Sequence, residues 1–387
     1  MIPIQMVRFH TIVVRSALAV VTLTSLGGFA CTGTDHTGPG SAMTQVWHAP
    51  LGSNTGSYWV GMPALDGGKL FVEDANNVVA LDAGSGATLW SSKVKDFPSP
   101  GGRQLLTAGG LVFVSEATYV TALDESTGAI RWQFAPDSQP AAVFPSVDDR
   151  AYYTGQRGIP VVYALDRGTG AVLWKVNIGV GWQYPGFINA VLVSGDTVFA
   201  VAPHYLALNG FQQDIVVVAL NRLDGSELWR FESANKQDGG ASGAVLAGDM
   251  IIINNVIGTG VIAVSKATHG EAWRLSVPGA AGGVALPSVD GETVYTGLGG
   301  GFVYALARST GVTRWAHTTQ AVVWGITKCG ASVVSNIDDL ERYDPSTGAV
   351  TGHFKSSPDG GIFTSNLLSD GTRVFVTGQG GVSAATC

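Results

Sequence analysis

Histidine, cysteine and paired carboxylates are the residue types in this chain that could bind metals or carry out catalysis. The seven histidines are scattered, and no two stand at a metal-ligand spacing. The acidic pairs Asp148–Asp149 and Asp338–Asp339 fall in predicted turns, and we interpret them as solvated hairpin tips. They do not supply the convergent oxygen cage that calcium needs. Glycine-rich runs lie between predicted strands rather than before a helix, so they are turns and not phosphate-binding loops.

The N-terminal residues differ from the rest of the chain. Residues 1–30 combine a basic start, an apolar stretch too short for a membrane span and small residues before Cys31, which predicts an export signal. The position of Cys31 directly after Ala30 resembles a bacterial lipoprotein signal and implies that Cys31 carries lipid; the alternative is ordinary cleavage at the same place. Residues 31–44 are polar and glycine-rich, and we expect a flexible tether.

A repeated phrase indicates which elements position the remaining residues. It reads ALDAGSGATLW at residues 80–90, ALDESTGAIRW at 122–132 and ALDRGTGAVLW at 164–174, and it returns with more substitutions further along. Each copy predicts a strand, a tight turn and a second strand. The aspartate accepts backbone hydrogen bonds, and the glycine before each tryptophan supplies a left-handed residue. In the fifth copy we assign this role to Gly270, with His269 replacing a threonine.

The spacing of the phrase predicts the architecture. The tryptophan positions recur about every 42 residues. Before each tryptophan strand lie two β-rich runs, the second of which enters the phrase, and room for one further strand, so each unit has four strands and matches a propeller blade. The last unit has room for only three strands, and the fourth is found at the N-terminus around Trp47. We predict an all-β fold, an eight-bladed β-propeller over residues 45–387 closed by the N-terminal strand; the alternative has seven blades. The predicted blade-docking tryptophans are Trp47, Trp90, Trp132, Trp174, Trp229, Trp273 and Trp315.

Two cysteines remain beyond Cys31. Cys329 and Cys387 fall in the seventh and eighth predicted blades of an exported protein. They either form a disulfide between adjacent blades or stay as two small buried thiols.

The ALDxxTGxxxW phrase resembles the tryptophan-docking motif of the quinoprotein (pyrroloquinoline quinone, PQQ) dehydrogenase-like propellers, over Trp47 to Cys387. One branch of this family contains quinone-dependent dehydrogenases. The other contains non-catalytic lipoproteins typified by BamB, a component of the outer-membrane protein assembly machinery. The alcohol dehydrogenases of the first branch carry two adjacent cysteines and a Glu/Asn/Asp calcium set, whereas this chain has no adjacent cysteines. We therefore expect no catalysis, cofactor or metal, and a BamB-like scaffold.

The face opposite the repeated turns holds the irregular sequence, and we predict that a protein partner binds there. The fourth unit is the longest, with an insertion between Val201 and Asp214 on this face. Aromatic residues on the face serve either as core packing or as anchors for a partner. The predicted partner face consists of Trp59, Phe144, Trp182, Tyr184, Tyr205, Phe211, Trp324 and Phe363.

Charge and composition limit the partners. The net charge is −7 and no basic cluster occurs, which argues against nucleic acid. We expect a monomer, exported and anchored through lipid on the periplasmic or extracytoplasmic side of a bacterial envelope membrane. Two other functions stay open: a PQQ-dependent dehydrogenase with an unusual site, and an extracytoplasmic sensor of a small ligand or glycan.

Overall fold

The computed structural model describes most of the chain from residue 42 onward. The described residues are 42–51, 62–74, 76–94, 104–115, 119–137, 144–156, 158–184, 186–206, 213–235, 238, 241–255, 260–277, 285–319, 321–337, 339–355, 366–378 and 380–387. The predicted signal peptide, most of the tether and Cys31 lie outside them. Within the described residues, no helix is long and apolar enough to cross a membrane.

The described chain forms 32 strands, paired into eight four-stranded antiparallel sheets. Blades 1 to 4 consist of β2 Ala64–Asp66, β3 Lys69–Asp74, β4 Asn77–Asp82 and β5 Thr88–Lys93; β6 Leu106–Ala108, β7 Leu111–Ser115, β8 Val120–Asp124 and β9 Ile130–Phe134; β10 Ser146–Val147, β11 Ala151–Gly155, β12 Val161–Asp166 and β13 Val172–Asn177; and β14 Ala190–Ser194, β15 Thr197–Tyr205, β16 Gln213–Asn221 and β17 Glu227–Glu232. Blades 5 to 8 consist of β18 Ala241–Ala247, β19 Met250–Asn255, β20 Gly260–Ser265 and β21 Glu271–Ser276; β22 Ser288–Asp290, β23 Thr293–Leu298, β24 Phe302–Ala307 and β25 Thr313–Thr318; β26 Gly325–Cys329, β27 Ser332–Asn336, β28 Leu340–Tyr343 and β29 Val350–Phe354; and β30 Leu368–Ser369, β31 Arg373–Gly378 and β32 Gly381–Thr386 with β1 Gln45–Pro50.

The ring closes as the sequence predicts. Strand β1 pairs antiparallel with β32, with Trp47 opposite Ala384 and Pro50 opposite Gly381. The N-terminal strand is therefore the outer strand of blade 8, and no sheet edge is left open at the closure. The eight-bladed prediction is confirmed, and the seven-bladed alternative is wrong.

The apolar core lies between neighbouring blades. Because side chains alternate along a strand, β16 sends Val216 and Val218 into the cluster shared with blade 3. The intervening residues Ile215 and Val217 enter the cluster shared with blade 5. Strand β16 is therefore apolar on both faces over these residues, and the outer strand β17 carries exposed residues.

The docking tryptophans join each blade to the next. The indole N–H of Trp90 donates to the carbonyl oxygen of Glu125 in the turn of blade 2, at 3.0 Å. Five further indoles bond to the equivalent carbonyl of the following blade: Trp47 to Ala83, Trp132 to Arg167, Trp174 to Arg222, Trp273 to Arg308 and Trp315 to Pro345. Each ring thus buries apolar surface while its polar atom is satisfied.

The turn between the third and fourth strands is shaped to receive the indole. Gly128 has φ 72°, and a Cβ atom there would lie 2.6 Å from the ring of Trp90. Glycine is therefore needed both for the backbone and for the close approach of the ring. Hydrogen bonds from Ser126, followed by those from Arg131, hold the pKa of Asp124 well below its ordinary value, because they stabilise the carboxylate.

Blade 5 departs from this pattern, because the residue in the left-handed conformation is not the one that the sequence predicts. The left-handed residue is His269, at φ 58°, and the assignment of this role to Gly270 is wrong. The left-handed residue must stand four positions before the tryptophan, and Gly270 is one position too late. Within the described residues, Trp229 makes no hydrogen bond of the docking kind; its ring stacks on His269, with centroids 4.7 Å apart and planes 12° apart.

The interface between blades 7 and 8 is also different. Gly352 stands where blade 7 would carry its tryptophan, and a Cβ atom there would lie 2.8 Å from the guanidinium of Arg342. That guanidinium donates to the carbonyl oxygen of Cys387 in blade 8, at 3.1 Å. Cys329 and Cys387 form a disulfide across the same interface, with Cα atoms 5.4 Å apart.

Candidate functional site

The face opposite the docking turns is formed by two sets of connections. Because the strands of each blade alternate in direction, the connections between blades and the loops between second and third strands share this face. Three residues of the predicted partner face, Trp59, Phe211 and Phe363, lie outside the described residues. The other five occupy three separate environments.

Trp182, Tyr184 and Tyr205 come together on blade 4. The ring of Trp182 stacks on His204, with centroids 4.5 Å and planes 17° apart. Tyr184 and Tyr205 form an isolated antiparallel bridge, and Phe187 lies 6.4 Å from the ring of Tyr205. All four aromatic residues are partly exposed. We call Trp182, Tyr184, Phe187 and Tyr205 the blade 4 aromatic group.

The length of blade 4 explains why this group exists. Strands β15 and β16 each have nine residues and pair along their whole length, so they extend beyond the strands of the other blades. The connection from blade 3 lies against this extension, since a Cβ atom on Gly186 would stand 1.9 Å from the carbonyl oxygen of Pro203. A Cβ atom on Gly179 would stand 2.8 Å from the ring of Trp182. Glycines therefore allow the connection to reach the extended hairpin.

Phe144 is placed in the centre of the ring rather than on an accessible face. It is 6% exposed and shares a core cluster with Met62 and Leu286. The amide of Asn366 contacts the sulfur of Met62 at 3.4 Å and accepts a hydrogen bond from the Leu286 backbone at 2.8 Å. The four residues precede four different blades: Met62 blade 1, Phe144 blade 3, Leu286 blade 6 and Asn366 blade 8. They meet only because the ring brings distant blades together. Burial removes Phe144 from any contact surface.

Trp324 lies apart, directly before blade 7. Its side chain is partly buried, and its backbone N–H donates to the carbonyl oxygen of Asn336 at 2.8 Å. The structure thus brings together three of the five described candidates and leaves Phe144 and Trp324 outside that group.

A polar cluster that the sequence analysis missed lies beneath the blade 4 aromatic group. One ligand-capable atom from each of His204, Asp214 and Glu232 lies within 4.8 Å of the others. The three residues come from β15, β16 and β17, so strand pairing rather than sequence spacing assembles them. Spacing between histidines along the chain could not indicate this cluster, because it contains a single histidine.

The acidic pair in blade 3 is only in part a solvated tip. Asp149 has an 85% exposed side chain, as expected for a hairpin tip. Asp148 is largely buried and accepts a hydrogen bond from Arg222 of blade 4 at 2.6 Å, so that interpretation is wrong for Asp148. The second carboxylate oxygen accepts from the backbone of Arg150 and Ala151. Although burial opposes ionisation, these hydrogen bonds keep the pKa of Asp148 below its ordinary value. The residue therefore connects two blades.

Solved structures similar to this chain share its fold. BamB from Moraxella catarrhalis superposes with a TM-score of 0.67 at 15% identity, covering 89% of this chain and 97% of that one. The quinohemoprotein alcohol dehydrogenase from Comamonas testosteroni superposes with a TM-score of 0.69 at 14% identity, covering 89% of this chain and 76% of that one. At such identities the likeness concerns the fold alone.

Sequence comparison adds the family. No curated protein sequence matches this chain. A family profile described as outer membrane protein assembly factor BamB matches residues 42–159, 116–253 and 213–341, which together cover well over half of the chain. The eight blades, the docking tryptophans and this match agree, and the chain belongs to that family of PQQ-like β-propellers.

Proposed function

We propose that this protein is a non-catalytic scaffold of a bacterial envelope, held at the membrane by lipid on Cys31, with a BamB-like role in outer-membrane protein assembly. Its partner is a protein that binds the face opposite the docking turns. Membership of the BamB family supports this role. The sequence around Cys31 supports the anchor, since a small-residue stretch after an apolar segment precedes it.

The observation that carries the proposal is the blade 4 aromatic group. Tryptophan and tyrosine dominate the binding energy of protein interfaces because they offer a large contact area at low cost in conformational entropy. Trp182 is already held by its stack on His204, and Tyr184 by its bridge to Tyr205. A surface ordered before binding loses little entropy when a partner arrives. The group is therefore suited to recognition.

The interior of the ring supports the non-catalytic part of the proposal. Met62, Phe144 and Leu286, which precede three different blades, pack into one apolar cluster. Calcium of the dehydrogenase branch requires an all-oxygen cage. The metal-ligand cluster found among the described residues contains an imidazole nitrogen and two carboxylates, so its donor set does not fit that ion.

Site-specific crosslinking tests the partner face. A photoreactive amino acid replaces Tyr184 in the full-length chain, and a matched control carries it at Leu228, which is 50% exposed on an outer strand. In native membranes we expect position 184, and not position 228, to crosslink to components of outer-membrane protein assembly. Trp182→Ala should abolish the crosslink while thermal unfolding shows a folded propeller. Equal crosslinking at both positions, or none at position 184, contradicts the proposal.

The dehydrogenase alternative keeps one supporting observation, its fold. Besides the Comamonas enzyme, a europium-containing methanol dehydrogenase superposes with a TM-score of 0.64 at 14% identity, covering 86% of this chain and 84% of that one. Reconstitution with PQQ and calcium separates the two functions. A scaffold retains no quinone chromophore after gel filtration and reduces no dye. A dehydrogenase retains the chromophore and reduces the dye.

A further inference from the structure

Three strands of blade 4 present His204, Asp214 and Glu232 on one face of the sheet. His204 stands directly opposite Asp214 in the pairing of β15 with β16. Glu232 stands opposite Val216, which is two residues beyond Asp214 and so points to the same side. The three side chains thus converge at the end of the blade beside Trp182, with ligand-capable atoms within 4.8 Å of one another.

Asp214 and the Nδ1 atom of His204 form the buried end of this cluster. Asp214 is completely buried, and His204 directs Nδ1 toward its Oδ1 atom at 3.4 Å. This ring nitrogen is itself inaccessible to solvent and has no hydrogen-bond partner among the described residues. Buried polar atoms in proteins are nearly always bonded. A buried, unbonded ring nitrogen next to a buried carboxylate is an arrangement that can share a cation bound beside both atoms.

The charges around the cluster favour a cation. Asp214 and Glu232 bring two carboxylates to the cluster, and Arg230 is a cation beside it. Its guanidinium lies 4.0 Å from Glu232, but it is also bonded to Glu227 and to the carbonyl oxygen of Ile178. Arg230 is therefore shared between Glu232 and other partners.

We propose that His204, Asp214 and Glu232 bind a first-row divalent metal ion of the Zn²⁺ class. One imidazole and two carboxylates form a donor set that Zn²⁺ accepts, with a fourth position for water. Ca²⁺ and Mg²⁺ prefer oxygen ligands and more of them, so they fit this set less well. The ion would join the ends of three strands and hold the imidazole on which Trp182 stacks. This inference does not depend on the proposed function.

Calorimetric titration of the full chain tests the site. The protein, without a histidine tag and freed of metal by a chelator, is titrated with Zn²⁺. We expect one strongly bound equivalent and a rise in the thermal unfolding temperature. His204→Ala and Glu232→Gln should each weaken this binding at least tenfold. The matched control is His353→Ala, which removes a histidine 3.7 Å from the carboxylate of Asp339 and should leave binding unchanged.

Other outcomes overturn the proposal. An absence of stoichiometric Zn²⁺ binding does so, as does binding that both variants leave intact or that His353→Ala removes. Ca²⁺ binding as tight as Zn²⁺ binding overturns the assigned class of ion. If His204→Ala does not fold, Glu232→Gln decides alone, because its side chain is 42% exposed and its replacement leaves the core untouched.

Discussion

The regular blade interfaces differ from the interface at which the ring closes, and the contrast between them explains the repeat. At a regular interface, the tryptophan of one blade docks on the turn between the third and fourth strands of the next, as Trp315 does on the turn of blade 7. Between blades 7 and 8 the tryptophan is replaced by Gly352, and Arg342 with a disulfide occupies the interface.

Ring closure accounts for the difference. The third and fourth strands of blade 8 are β32 and β1, which come from opposite ends of the chain. No turn joins them, so blade 7 has no docking surface for a tryptophan. Arg342 instead bonds to the carbonyl oxygen of Cys387, the last residue. Gly352 therefore stands in place of a tryptophan because the ring is closed by pairing the N-terminal strand β1 with β32.

The largest expected effect comes from breaking a regular interface. Trp132 is 8% exposed and is bonded to the carbonyl oxygen of Arg167. We expect Trp132→Ala to lower the free energy of unfolding by about 3–5 kcal/mol, because a large buried ring is lost and a cavity remains. Urea unfolding followed by fluorescence measures this loss. Arg342→Ala, the matched change at the closing interface, should lower the free energy of unfolding by less. If Trp132→Ala lowers it by the same amount as Arg342→Ala or by less, the comparison is contradicted.

An intermediate effect is expected from the disulfide at the closing interface. Replacing Cys329 and Cys387 together by serine should lower the free energy of unfolding by about 2–4 kcal/mol, since the bridge restrains the unfolded chain. The two cysteines are 58 residues apart in sequence. Reducing agent should destabilise the natural protein by a similar amount and leave the double variant unchanged. If the natural protein is insensitive to reduction, the bridge does not stabilise this interface.

The smallest effect is expected at the interface between blades 4 and 5. His269→Gly removes a left-handed histidine but also its stack on Trp229, so the two contributions of about 1 kcal/mol nearly cancel. Urea unfolding should show a change below about 1 kcal/mol. The reverse substitution, Gly311→His, should be clearly destabilising, because a Cβ atom there would lie 2.5 Å from the ring of Trp273. Similar effects of both changes would contradict this account.

The candidate site was less predictable than the fold. The insertion in blade 4 and its aromatic residues were visible as a break in the repeat, and three of them lie together. The cluster of His204, Asp214 and Glu232 was not visible, because its members are scattered over three strands. The inward position of Phe144 was equally hidden, since its neighbours Met62 and Leu286 belong to distant blades.

The repeat was enough to predict the blade, the number of blades and the manner of closure, because it contains the local turn chemistry and strand periodicity in order along the chain. Only the tertiary structure decided which residues meet. Pairing of the long strands of blade 4 assembled the polar cluster, and the ring brought Phe144 next to Met62 and Leu286. At the closing interface, Arg342 bonds to the carbonyl oxygen of Cys387 where no docking turn exists. These contacts join residues far apart in sequence, where local pattern carries no information.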